Sequence, residues 1–180
     1  GGGQLWVADV ASNTAHRVPG VLVNASLGFL VEWTPDGKNL LVMAVPDKQG
    51  PAPAASSVPT GPSIQDHEGG KATARTFQDL LKSPEDEKLF TYYLTSQPLL
   101  VSPDGKTRRN WGRPALYTGL SLSPSGQYLL AETVHTPFSY TVPISNFPTK
   151  TEVLDQSGKT VKVVADLPLD DNSPPDFDSV

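Results

Sequence analysis

Cysteine is absent from these 180 residues. The chain can therefore build neither a disulfide framework nor a thiolate metal site, and a compartment's redox state places no constraint on it. Long apolar runs are missing too. No stretch approaches the roughly 18 apolar residues of a membrane span, so no membrane partner is expected. Over most of the length there is no excess charge of one sign. The formal net charge of −5 is matched by Asp166, Asp170, Asp171, Asp176 and Asp178 in the last fifteen residues, which hold no Lys or Arg, leaving the preceding 165 balanced. That balance carries no nucleic-acid footprint. The small basic group Lys106, Arg108, Arg109 and Arg113 reads as a solvated outer strand protected from pairing by its charge.

Patterns that carry chemistry are equally scarce. His16, His67 and His135 lie far apart and have no ligand-like spacing, so no metal is expected. A nucleophile elbow of the form Gly-x-Ser-x-Gly is missing. Its nearest approach, Gly119-Leu120-Ser121-Leu122-Ser123, lacks the second glycine and reads as strand. Phosphate-binding glycine loops are missing as well, and no cofactor is implied. On the residues alone, no reaction is assigned.

What is present is repetition. Trp33-Thr34-Pro35-Asp36-Gly37-Lys38-Asn39-Leu40-Leu41-Val42 returns 89 positions later as Leu122-Ser123-Pro124-Ser125-Gly126-Gln127-Tyr128-Leu129-Leu130-Ala131. Each phrase is a strand, a tight turn and an outgoing strand. The proline presets the second turn position, the glycine accepts the left-handed conformation, and the preceding hydroxyl can bond back to the turn amides. A second family of hairpins interleaves with these: 5–9 with 14–18, 99–101 with 106–108, and 153–155 with 159–163. Aligning Gly105 with Gly158 gives a period of 53, whereas Asn13 to Gly105 gives 92, so one unit carries an insertion of 39 residues.

Four-stranded propeller blades run about 40–50 residues. The expected fold is therefore all-β, a fragment of a β-propeller of about two to two and a half blades, interrupted by a Pro-rich loop and a short helical insertion. Unrelated hairpins of a β-sandwich are the other reading of the same spacing. The expected division is an outer hairpin at 4–19, a second blade at 26–112 with its insertion at 46–95, a third blade at 115–167 and a loop at 168–180. Gly1-Gly2-Gly3, with no initiating methionine or leader, and an end in a loop fit an expected fragment. The inner strands carry continuous apolar runs such as Leu40-Leu41-Val42-Met43, as expected when both faces are covered; Thr160-Val161-Lys162-Val163 alternates like a half-exposed outer strand.

Within the insertion, five prolines between Pro46 and Pro62 predict a surface loop. Thr76 can cap a short turn carrying Phe77, Leu80 and Leu81. Ser83-Pro84-Glu85-Asp86-Glu87 is a helix start, with a capping hydroxyl, proline at the first helical position and acids on the positive end of the dipole. Leu89, Phe90, Tyr92, Tyr93 and Leu94 predict a broad apolar face on that helix.

The stretch Ala74-Arg75-Thr76-Phe77-Gln78-Asp79-Leu80-Leu81-Lys82, with Asp86-Glu87, Leu89-Phe90, Tyr92-Tyr93 and Thr95-Ser96-Gln97, resembles the propeller of glutamyl endopeptidases in the prolyl oligopeptidase family of serine peptidases. So do Leu5-Trp6-Val7-Ala8-Asp9-Val10, Val58-Pro59-Thr60-Gly61-Pro62, Pro137-Phe138-Ser139-Tyr140, Phe147-Pro148 and Ala165-Asp166-Leu167-Pro168-Leu169. The resemblance implies a seven-bladed amino-terminal propeller that gates access to a carboxy-terminal α/β-hydrolase domain bearing a Ser, Asp and His triad, none of it in this chain. It implies cleavage of peptide substrates after glutamate. It leaves the compartment between plastid stroma and export from bacteria.

Glutamate specificity requires a cation somewhere. Arg75 and Arg113 are candidates to gate substrate, against a reading in which each clamps the insertion or lies in water. His135, beside Pro137-Phe138-Ser139-Tyr140, is the third candidate. The alternative function is a propeller used as a protein-interaction scaffold without peptidase activity, since this architecture hosts many activities.

Overall fold

Three turns of one design set the strand order. In each, the glycine N–H donates to the carbonyl of the hydroxyl residue, Gly37 to Thr34, Gly105 to Ser102 and Gly126 to Ser123, all at 2.8 Å. Gly37 and Gly126 both have φ 66°, the left-handed conformation that closes the hairpin. The hydroxyls then accept the amide five residues on: Asn39 to Thr34, Thr107 to Ser102 and Tyr128 to Ser123, each at 3.0 Å. Ser102-Pro103-Asp104-Gly105 is thus a third copy of the motif in an outer hairpin.

The computed structural model describes residues 2–28, 31–54 and 80–171. Its elements are β1 (Gly3–Asp9), β2 (Thr14–Val23), β3 (Val31–Trp33), β4 (Leu40–Ala44), α1 (Pro84–Leu94), β5 (Gln97–Val101), β6 (Arg108–Asn110), β7 (Leu116–Leu122), β8 (Tyr128–Val134), β9 (Thr149–Asp155) and β10 (Thr160–Leu167). A 3-10 turn, Ile144–Asn146, lies between β8 and β9. All named strand pairs are antiparallel, and the fold is all-β with one helix among the described residues.

Strands β3, β4, β5 and β6 form one meander, and β7, β8, β9 and β10 form another. The β1–β2 hairpin joins the first sheet through a single pair, Val23 with Ala44. Strand β4 is covered on both faces, which is why it is apolar throughout. Leu40, Val42 and Ala44 pack with Leu5, Val18 and Val21 of the hairpin. Leu41 and Met43 pack on the other side with Trp111, Tyr117, Leu129, Ala131 and Leu154, joining the two sheets. Leu41 and Leu129 are fully buried, each worth about 1.5–3 kcal/mol relative to exposure. Trp111 Nε1 also donates to the Asp155 carbonyl at 2.6 Å. Next to it, a Cβ on Gly158 would stand 2.5 Å from Gly112 N and 2.7 Å from its Cα, so backbone meets backbone there.

Helix α1 begins as its sequence predicts, with the Ser83 hydroxyl accepting from the Asp86 N–H at 3.2 Å. Its carboxyl end is held from a distance. Buried Asn24 donates through Nδ2 to the carbonyls of Tyr93 and Thr95, both at 2.9 Å. The expected broad apolar face is narrower than the sequence suggests, since no residue of α1 is fully buried. Phe90 and Leu94 pack with Leu116, Val134, Phe138 and Phe147. Tyr92 instead turns toward the start of the insertion, where its hydroxyl donates to the Gly50 carbonyl at 2.9 Å, and Tyr93 is exposed. The cap predicted at Thr76, with Phe77, falls outside the described residues.

Strand β10 departs from the expected alternation. Its residues are exposed almost throughout, because it is the edge strand of its sheet and no residue of it packs into a core cluster; its register against β9 also shifts twice, between Thr160 and Lys162 and between Val163 and Ala165. Each bulge inserts an unpaired residue and breaks the two-residue period.

Candidate functional site

Of the three side chains singled out by sequence, Arg75 lies outside the described residues. Arg113 stands in the connection from β6 to β7, exposed, with its carbonyl accepting the Tyr117 hydroxyl at 2.7 Å. It lines a cleft of about 370 Å³ together with Tyr117, Thr133, Lys150, Glu152 and Lys159. Glu152 is buried at the base of this cleft. Its Oε1 lies 2.9 Å from Lys150 Nζ and accepts the Thr160 hydroxyl at 3.1 Å. Burial pushes the Tyr117 hydroxyl up to about 12, against the opposing effect of the Arg113 charge, so it stays a neutral donor. With three cations against one carboxylate, the cleft offers an anion a positive field.

His135 follows β8 and sits beyond the far end of this row. Lys150 pairs across the strands with Asp166, whose Oδ1 lies 3.4 Å from His135 Nε2. His135 Nδ1 lies 2.8 Å from the Thr136 carbonyl. The fold therefore gathers Arg113 and His135 around the same stretch of β9, at either end of a chain of side chains that runs through Glu152, Lys150 and Asp166. Sequence reasoning missed the middle of that chain. Its available signal was Lys150 and Glu152 two residues apart, which on a strand share one face. A larger cleft of about 560 Å³, lined by Gln49, Tyr92, Thr95, Gln97, Asn110 and Pro114, was also unforeseen. Its only sequence hint is Gln97 leading the otherwise apolar run into β5.

Among the described residues no serine hydroxyl is bonded to a histidine; His16 Nε2 instead lies 3.1 Å from the Pro103 carbonyl. Among the same residues no group of three His, Cys, Asp or Glu side chains could hold a metal ion, and no helix is long and apolar enough to cross a membrane.

No protein-family model matches the chain, and no solved structure matches it significantly. Two curated proteins do. A probable chloroplastic glutamyl endopeptidase from Oryza sativa subsp. japonica is 41% identical over 175 residues, 95% of this chain and 18% of that protein. A protein of the same description from Arabidopsis thaliana is 40% identical over 174 residues, 94% of this chain and 18% of that protein. The chain thus spans 18% of the length of these relatives, and along nearly all of its own length it is a homologue of one segment of these two probable glutamyl endopeptidases.

Proposed function

We propose that this chain is a non-catalytic part of the β-propeller of a serine endopeptidase that cleaves peptides after glutamate. In this reading it limits which peptides reach an α/β-hydrolase domain elsewhere in the parent polypeptide. The observation that carries the proposal is the 41% identity to a probable glutamyl endopeptidase across 95% of the chain. The architecture supports it: two meanders, β3–β6 and β7–β10, lie face to face and share one turn design. We read 26–112 and 115–167 as successive blades, 4–19 as the outer hairpin of the blade before, and 168–180 as the passage onward. The relatives' description as chloroplastic makes the plastid the proposed compartment.

Arg113, with Lys150 and Lys159 beside it, is the proposed recognition point for an acidic peptide side chain. His135 and Arg75 are proposed to border the same approach. Fluorophosphonate labelling of the native polypeptide, captured by an antibody against residues 83–97, tests the reading. A labelled chain several times the mass of this segment is the expected result; an unlabelled one points to an interaction scaffold. In the labelled enzyme, Arg113→Ala is expected to raise KM for glutamyl peptides several-fold with kcat unchanged, the mark of lost uniform binding. Unaltered kinetics with a lower melting temperature assign Arg113 a structural role instead.

A further inference from the structure

Both ring nitrogens of His135 face protein acceptors. A carbonyl can only accept, so at 2.8 Å from the Thr136 oxygen Nδ1 carries a proton. In a neutral ring that leaves Nε2 as a lone pair, with Asp166 Oδ1 3.4 Å away. Two acceptors then oppose one another, and Nε2 is buried without a hydrogen-bond partner. One added proton makes Nε2 a donor and gives the ring a charge opposite to that of Asp166, so that the pair becomes an ion pair. The neighbouring charges leave this geometry to the proton. Lys150 of β9 is held by Glu152 of the same strand, and Glu132 of β8 accepts the Thr118 hydroxyl of β7 at 2.7 Å. Strand β7 itself carries no charged side chain. Asp170, beyond β10, has its backbone bonded to Asn146, and the α1 acids Glu85, Asp86 and Glu87 act on Tyr140. A divalent cation would also fit between Nε2 and Oδ1, but among the described residues the third ligand is missing and Lys150 opposes it.

We propose that His135 and Asp166 form a proton-operated latch, closed when the imidazole is charged, that fastens the 135–148 connection to β10. What it fastens is the grip on the insertion. That connection carries Phe138 and Phe147, whose rings stand 5.2 and 5.9 Å from Phe90 of α1. Opening the latch at its root loosens the seat of the helix. The inference rests on local geometry and stands apart from the peptidase reading.

The test is a double-mutant cycle on the 180-residue chain, with melting temperatures of wild type, His135→Gln, Asp166→Asn and the pair from pH 5.5 to 8.5 in chelator. At pH 5.5 each single change is expected to lower the midpoint by roughly 1–3 °C, the scale of a part-exposed ion pair, and the double change no further. At pH 8.5 Asp166→Asn is expected to be neutral or stabilising, because the amide can turn its Nδ2–H donor toward the Nε2 lone pair. Additive losses, or equal losses at both pH values, overturn the latch. Nitrogen-15 NMR of the wild-type ring supplies a reading free of mutation. A ring protonated at both nitrogens in acid and at Nδ1 alone in base is expected, and an Nε2–H tautomer in base overturns the proposal. A rise in melting temperature on adding zinc at pH 8.5, lost in either variant, replaces the proton with a cation and overturns it too.

Discussion

Asp104 shows how much a single exposed side chain contributes to a turn. The Ser102 hydroxyl donates to its carboxylate at 2.6 Å and the Lys106 N–H at 3.1 Å, and chiefly the first of these lowers its pKa from 3.8 to about 2. Asp36 and Asp155 are lowered in the same way, mainly by the hydroxyls of Thr34 and Ser157. A depressed carboxyl stabilises the fold above its unfolded value, and that contribution fades as pH falls through the folded one. Asp104→Asn is therefore expected to melt below wild type at pH 7 and to converge on it between pH 3.8 and about 2, as followed by circular dichroism. These turns were legible in the sequence because their chemistry is local: proline φ, glycine freedom and a hydroxyl within reach. The charged row from Glu152 to His135 was not. It exists only once β10 lies beside β9.

At the scale of the element, α1 is legible at one end and hidden at the other. Its start is encoded within a few residues by Ser83 and the acids behind Pro84, and Ser83→Ala is expected to cost about 1 kcal/mol. Its finish depends on Asn24, 69 positions before Tyr93 in the chain. No period or motif announces that contact. Asn24→Ala strips two carbonyls of their donor and is expected to cost about 1–3 kcal/mol in urea denaturation, with faster hydrogen exchange confined to α1 if the helix detaches first. The width of the apolar face was misjudged for a related reason. Tyr92 and Tyr93 have helical spacing, but each carries a hydroxyl, and Tyr92 spends its own on Gly50. Likewise the half-exposed alternation expected of β10 is not realised, since its edge position leaves both faces exposed and two bulges against β9 break the two-residue period.

For the whole molecule, the layered packing leaves apolar surface at both ends of the stack. Trp6 is 57% exposed on the hairpin, and Leu130 is 43% exposed on the second sheet. Apolar faces of this kind are ordinarily covered by a neighbouring layer, so the chain alone is expected to be marginally stable and to bind a hydrophobic dye. A monomer of high melting temperature that binds no dye counts against that. The joint between the sheets is where stability concentrates: Leu129→Ala, at a fully buried position, is expected to cost about 2–5 kcal/mol in the same denaturation assay. One joint is finer still. Where Gly158 meets Gly112, a single methyl group would come within 2.5 Å of main-chain nitrogen, and main chain cannot swing aside as a side chain can. Position 158 therefore admits no side chain while Gly112 stays where it is: the turn around it can vary, but any other residue there must push back the connection that leads from one sheet to the other.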